Sequence, residues 1–191
     1  MPKLRFLFSI LLVVLFQACV NKKNRFELQT GDLLFTVGKY NSELVAAIQT
    51  STGQDKDIPF SHVGMVSIEN GRMYVLEATH PWGVIKTPLK NFFNDTAVLN
   101  GKHLIAVGRV NKEFEYTIVN AIKNAEKHLG KGYDYAYSET NDLFYCSELV
   151  RFAFLDSHGK PIFAPQAMSF KNPKTGDIDA YWIKHFEKLG K

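Results

Sequence analysis

Cysteine is scarce in this chain: only Cys19 and Cys146 occur in 191 residues. Two cysteines cannot build the multi-bridge framework that holds small secreted scaffolds together. His62, His80, His103 and Cys146 lack any short ligand spacing of the HxxxH or CxxC kind, so zinc has no sequence signal and no metal is expected. Long apolar runs are missing too. The longest, Phe6 to Phe16, falls well short of the about 20 residues a spanning helix requires. Lysine and arginine are scattered rather than gathered into a stripe, which argues against nucleic acid as a partner. There is no internal repeat and no low-complexity tract.

The apolar run has a different use. Lys3 and Arg5 precede it and Gln17-Ala18-Cys19 follow it, giving a basic n-region, an h-region and a small residue at the cleavage point. A cysteine directly after that small residue resembles a bacterial lipoprotein lipobox, although Phe16 and Gln17 depart from the strict pattern. The expectation is a signal peptide over residues 1–18, a lipidated Cys19 with a short tether to residue 28, and one domain over 29–191. An anchor that is never cleaved is the rival reading. Either way the protein is expected at the bacterial cell envelope, held to the membrane by its N-terminus. Losing Lys3 and Arg5 with the leader takes the formal charge from +4 to about +2.

About 170 residues remain, enough for a single core and too few for two ordinary domains. Of fifteen phenylalanines three lie in the leader, and the other twelve with eight tyrosines can fill that core. Strands are expected over 32–37, 60–68, 72–78, 83–86 and 103–110, with Asn70-Gly71 as a tight hairpin turn. Helices are expected over 42–49, from Thr87-Pro88 to about Phe93, over 116–129 closed by Gly130, over 147–154, and over 180–189. The stretch 50–59 reads as a polar loop. Strands dominate the first half and helices the second, so the class is α+β, an antiparallel sheet with packed helices.

The hairpin turn sets a register. With Glu69 opposite Arg72, Glu77 falls opposite Gly64, and His62 projects from the same face two residues away. His62 and Glu77 are then diagonal neighbours, about 7–8 Å apart at the backbone and within side-chain reach. A carboxylate beside a histidine can accept the Nδ1–H bond, set the tautomer and stabilise an imidazolium. A buried pair that merely staples the sheet is the alternative. Cys146 begins a densely apolar helix, where free N–H groups and the positive end of the dipole favour a thiolate over a thiol. A buried structural cysteine is the commoner fate of the residue type.

Ser61 to Val66, Val75-Leu76-Glu77-Ala78, Gly83-Val84 and Phe144 to Val150 together resemble the YiiX/YaeF-type permuted papain-like amidases of the NlpC-like cysteine hydrolase superfamily. In that family the order of the catalytic residues is circularly permuted, and the order His, Glu, Cys found here matches. Thr30 to Leu34 and Gly132-Tyr133-Asp134 match as well, so the resemblance runs from Thr30 to about Phe154. The tail after Gly159 matches poorly, leaving one wall of the substrate site undefined.

The resemblance implies a circularly permuted papain-like fold, with Cys146 as nucleophile, His62 as base and then acid, and Glu77 as orienter. The Cys146 backbone N–H would donate to the oxyanion. Tyr133 is the candidate second donor, with an ordinary packed loop aromatic as its alternative. Trp82, His80 and Phe60 flank these residues and could line the pocket or be plain core or rim. The function implied is hydrolysis of an amide bond through a thioester, without a cofactor. The substrate would be a small peptide, an amino-acid amide or an acyl compound, with cell-envelope peptides the first choice. A lipid acyl hydrolase or acyltransferase and a non-catalytic envelope binding module remain the alternatives.

Overall fold

The computed structural model describes residues 26–39, 42–52, 58–166 and 168–191. The expected signal peptide, cleavage point and lipidated Cys19 lie outside the described residues. Five antiparallel strands form the main sheet in the order β4-β3-β2-β1-β7: β1 is Leu33–Thr36, β2 His62–Glu69, β3 Arg72–Thr79, β4 Gly83–Pro88 and β7 Ile105–Gly108. A separate hairpin pairs β5, Val98–Leu99, with β6, Lys102–His103. The helices are α1 (Ser42–Thr52), α2 (Leu89–Asn94), α3 (Ile118–Glu126), α4 (Cys146–Ala153) and α5 (Ala180–Lys188), and a 3-10 turn, Lys112–Thr117, leads into α3. The class is α+β, as the order of sequence patterns implies.

The Asn70-Gly71 turn forms with both residues at positive φ, 49° and 74°, the geometry that matches the twist of a two-residue hairpin. It pairs Glu69 with Arg72 and runs the β2–β3 ladder in the expected register. The single strand expected over 103–110 is instead split between β6 and β7. A second Asn-Gly pair, Asn100-Gly101, turns the chain between β5 and β6, again with both residues at positive φ. The helix expected from Tyr116 starts at Ile118, because the segment before it winds as a 3-10 turn. α1 runs on to Thr52, beyond the expected Gln49.

Alternation along the strands gives the sheet two apolar faces, and each takes a helical layer. On one face Val63, Met65, Leu76, Ala78 and Val84 pack against α3 and α4. The helices meet that layer through small and branched residues at helical spacing: Ala121 and Ala125 from α3, Leu149, Val150 and Ala153 from α4. On the other face Leu34, Val66 and Val75 are covered by Phe92 of α2. The face that carries Glu77 is therefore capped by the short helix α2, while the cysteine helix lies on the opposite face. At the far end of the sheet Asp32 is buried and receives two bonds from Arg109, Nε to Oδ1 at 2.6 Å and Nη2 to Oδ2 at 2.8 Å. That fork ties the start of β1 to the segment following β7.

Candidate functional site

Cys146, His62 and Glu77 come together at the end of β2. Glu77 lies in the middle of β3 and is almost completely buried. Its Oε2 sits 2.6 Å from His62 Nε2. The shared face follows from the register, while the nitrogen differs from the expectation: Nε2 faces the carboxylate. Nδ1 is left for the thiol. His62 is the first residue of β2, so its ring can reach the sheet end where the N-terminus of α4 presents Cys146 from the other face. Gly64, opposite Glu77 in the ladder, makes the approach possible. A Cβ there would come within 2.3 Å of Val75 Cγ1 and 3.4 Å of Glu77 Cβ.

The electrostatics of the pair run in one direction. Burial on its own would lower the His62 pKa, but interactions with Cys146 and Glu77 overcome it and push the value up to about 10. Burial on its own would raise the Cys146 pKa. Hydrogen bonding and charge from His62, with backbone N–H groups of Val63 and Ser147, reverse that and hold the thiol below its ordinary value. Each partner favours the charged form of the other, so thiolate and imidazolium are the stable pair. The free amides expected at the helix start are represented by Ser147, and Val63 adds one from β2. The Val63 amide arrives only through tertiary packing. His62 keeps 19% of its side chain accessible, so the pair lies at a surface rather than in a sealed core.

The loop leading to the nucleophile is shaped by Asp134, which is fully buried. Its carboxylate accepts from the backbone N–H groups of Ala136 and Ser138 at 2.8 and 2.6 Å and from Asn141 Nδ2 at 3.1 Å. Glu148 closes the start of α4 by accepting the Tyr145 N–H at 3.3 Å. Its burial, with nearby Asp134 and Glu139, raises its pKa to about 7.

Tyr133 bridges to Phe144, and its ring stands edge-on to Tyr135 and His80. Burial first, then the charge at Cys146, drives its pKa well above the ordinary phenol value, so the hydroxyl keeps its proton beside the thiolate. His80 turns its Nδ1 to the Tyr135 hydroxyl. Trp82 stands on the β3–β4 turn with 72% of its surface exposed. Phe60 packs edge-on to Phe35 at 6.3 Å.

The C-terminal tail, where the motif resemblance fades, packs through aromatic rings. Tyr137, at φ 51°, stacks among Tyr145, Phe170, Trp182 and His185, with ring centroids between 5.5 and 6.3 Å. Trp182 and His185 belong to α5, and His185 Nε2 also donates to the Tyr135 carbonyl at 2.7 Å. The C-terminal segment is thus part of the same body as the loop that carries the tyrosines.

Residues 27–184 match the sequence model of the family described as permuted papain-like amidase enzyme, YaeF/YiiX, C92 family. The match extends into α5, well past the Phe154 limit expected from motifs. An Escherichia coli K12 relative, named as uncharacterized protein YiiX, is 32% identical over 165 residues, covering 85% of this chain and 74% of that protein. A crystal structure described as metalloprotein yiiX from Escherichia coli O157:H7 aligns with a TM-score of 0.60 at 28% identity. That alignment covers 86% of this chain and 82% of the other.

Proposed function

The chain belongs to the permuted papain-like amidase family of YaeF and YiiX, and within that family we propose that it is a cysteine hydrolase cleaving an amide bond in cell-envelope peptides. The observation that carries this reading is the continuous line from Glu77 to His62 to a thiol held below its ordinary pKa. A structural cysteine gains nothing from such a line; a nucleophile needs it. The Cys146 thiolate attacks the amide carbonyl carbon, and the new oxyanion takes the Cys146 backbone N–H as donor, with Tyr133 supplying the second by turning its hydroxyl away from Tyr137. The imidazolium of His62 gives its proton to the departing nitrogen, the C–N bond breaks, and a thioester remains. His62, now neutral, takes a proton from water as the water attacks. The C–S bond then breaks, releasing the acid and restoring the thiolate. Glu77 keeps the ring oriented through both halves.

The proposal includes export and lipidation at Cys19, which would hold the enzyme on a membrane facing the envelope; that proposed location is the argument for envelope peptides. No metal is carried over from the Escherichia coli protein. Among the described residues no group of three or more His, Cys, Asp or Glu is arranged to hold one. His62 and Glu77 turn their facing atoms on each other. Incubation with peptidoglycan stem peptides tests the reading: the wild type should release free amine, and Cys146→Ala none, with its thermal unfolding unchanged within a few degrees. Equal release by both proteins removes Cys146 from the chemistry. Release of fatty acid from phospholipid in place of amine from peptide would move the substrate to the acyl-lipid class.

A further inference from the structure

We propose that Thr87 is a positioning residue for this reaction, acting through Glu77; the inference rests on the cysteine hydrolase reading above. Glu77 has two carboxylate oxygens and a flexible side chain, and a bond to His62 from one oxygen leaves it free to swing about that contact. The second oxygen is held: the Thr87 hydroxyl donates to Oε1 at 2.5 Å while His62 occupies Oε2 at 2.6 Å. Water cannot easily substitute, because only 6% of the Glu77 side chain is accessible.

The register makes the arrangement symmetrical. In the β3–β4 ladder Glu77 stands opposite Ile85, so Thr87 is its diagonal neighbour on that side, as His62 is across β2. A carboxylate in a central strand is therefore gripped from both flanking strands. Threonine suits the place because its branched Cβ restricts χ1 and keeps the hydroxyl aimed along the sheet. The line becomes Thr87, Glu77, His62, Cys146, and its far end is fixed by rigid strand rather than by loop.

The probe is p-nitrophenyl acetate, whose acetyl carbon forms a bond to Cys146 Sγ as the aryl ester C–O bond breaks and p-nitrophenolate leaves with the charge. With the thiolate charge gone, His62 gives its proton to solvent, then takes one from the attacking water; the C–S bond breaks to give acetic acid and the thiolate. Thr87→Val keeps shape and volume but removes the donor, and it should lower kcat about tenfold with KM within about twofold of wild type. Thr87→Ser should recover kcat to within about threefold. In a Glu77→Ala background Thr87→Val should change kcat by less than about twofold, because the hydroxyl acts only through the carboxylate. Wild-type kcat in Thr87→Val, or the full loss persisting in the Glu77→Ala background, overturns the role. Phenolate release that survives Cys146→Ala overturns the hydrolase reading itself and this inference with it. Release that needs Cys146 but ignores Thr87 overturns this inference alone.

Discussion

His62 lies between a thiol and a carboxylate at the first residue of a strand, and its two ring nitrogens have different tasks. Nε2 is fixed by Glu77, which leaves Nδ1 to exchange a proton with Cys146 and then with the substrate. The pKa directions make the pH dependence predictable. Below the lowered pKa of Cys146 the thiolate is protonated, and alkylation by iodoacetamide is slow. As pH rises through that value, alkylation should increase at a pH lower than for an ordinary cysteine. Amide cleavage has a second limit: the leaving nitrogen needs a proton, and His62 loses its own near pH 10. Cleavage should therefore fall above about pH 10 while alkylation persists. The two profiles, measured side by side, check the pair. An alkylation midpoint at the value of a free thiol would show that no thiolate–imidazolium pair forms.

At the scale of elements, the β2–β3 hairpin does more than any other unit to build the site, and two of its glycines serve different ends. Gly71 allows the turn at φ 74°, with open space around it. Gly64 keeps the ladder opposite Glu77 thin, and a methyl group there would collide with Val75. Gly71→Ala should cost about 1 kcal/mol through backbone strain and leave iodoacetamide reactivity unchanged. Gly64→Ala should cost about 1–3 kcal/mol by overpacking, and it should also slow amide cleavage by displacing Glu77. Chemical denaturation and activity assays on both variants separate the two effects. If Gly64→Ala kept full activity, the thinness of the ladder would be irrelevant to the site. The hairpin was legible because an Asn-Gly turn carries its own register. The β5–β6 hairpin has the same signal at Asn100-Gly101, but two-residue strands offer no alternation to read.

On the scale of the whole molecule, long-range contacts tie the first and the last of the described residues to the body that bears the site. Arg109 forks onto buried Asp32 near the N-terminal side and stacks over Phe26. The C-terminal helix α5 docks its Trp182 on Ser51 of α1 at 2.9 Å and on the tyrosine loop through Tyr137. No helix among the described residues is long and apolar enough to cross a membrane. Attachment in the proposed function depends on Cys19, whose acyl chains would each contribute about 0.8 kcal/mol per buried CH₂. Mass spectrometry of the mature protein should find an acylated Cys19 as the first residue. Cys19→Ala should give an unacylated protein that is left uncleaved or cut elsewhere. An unmodified Cys19, or a different mature start, would show that the Phe16-Gln17-Ala18 segment is not used as a lipobox.

Features that depend on short-range geometry were legible from the residues alone. Alternation and a two-residue turn place His62 and Glu77 on one face, since the pleat has a period of two and the turn leaves no slack. An apolar helix beginning at Cys146 places that residue among free amides. The tertiary structure decided the rest, because it depends on elements distant in the chain. α4 packs against the face away from Glu77, so the thiol meets His62 around the end of β2, where the Val63 amide is waiting. Thr87 reaches Glu77 only because β4 continues through the Thr87-Pro88 segment that reads as a helix start. Proline at a strand end is as acceptable as proline at a helix start, and only the pairing with Tyr74 chooses between them. The aromatic cluster unites residues 133–145 with α5 through ring packing, which leaves no periodic trace in either segment.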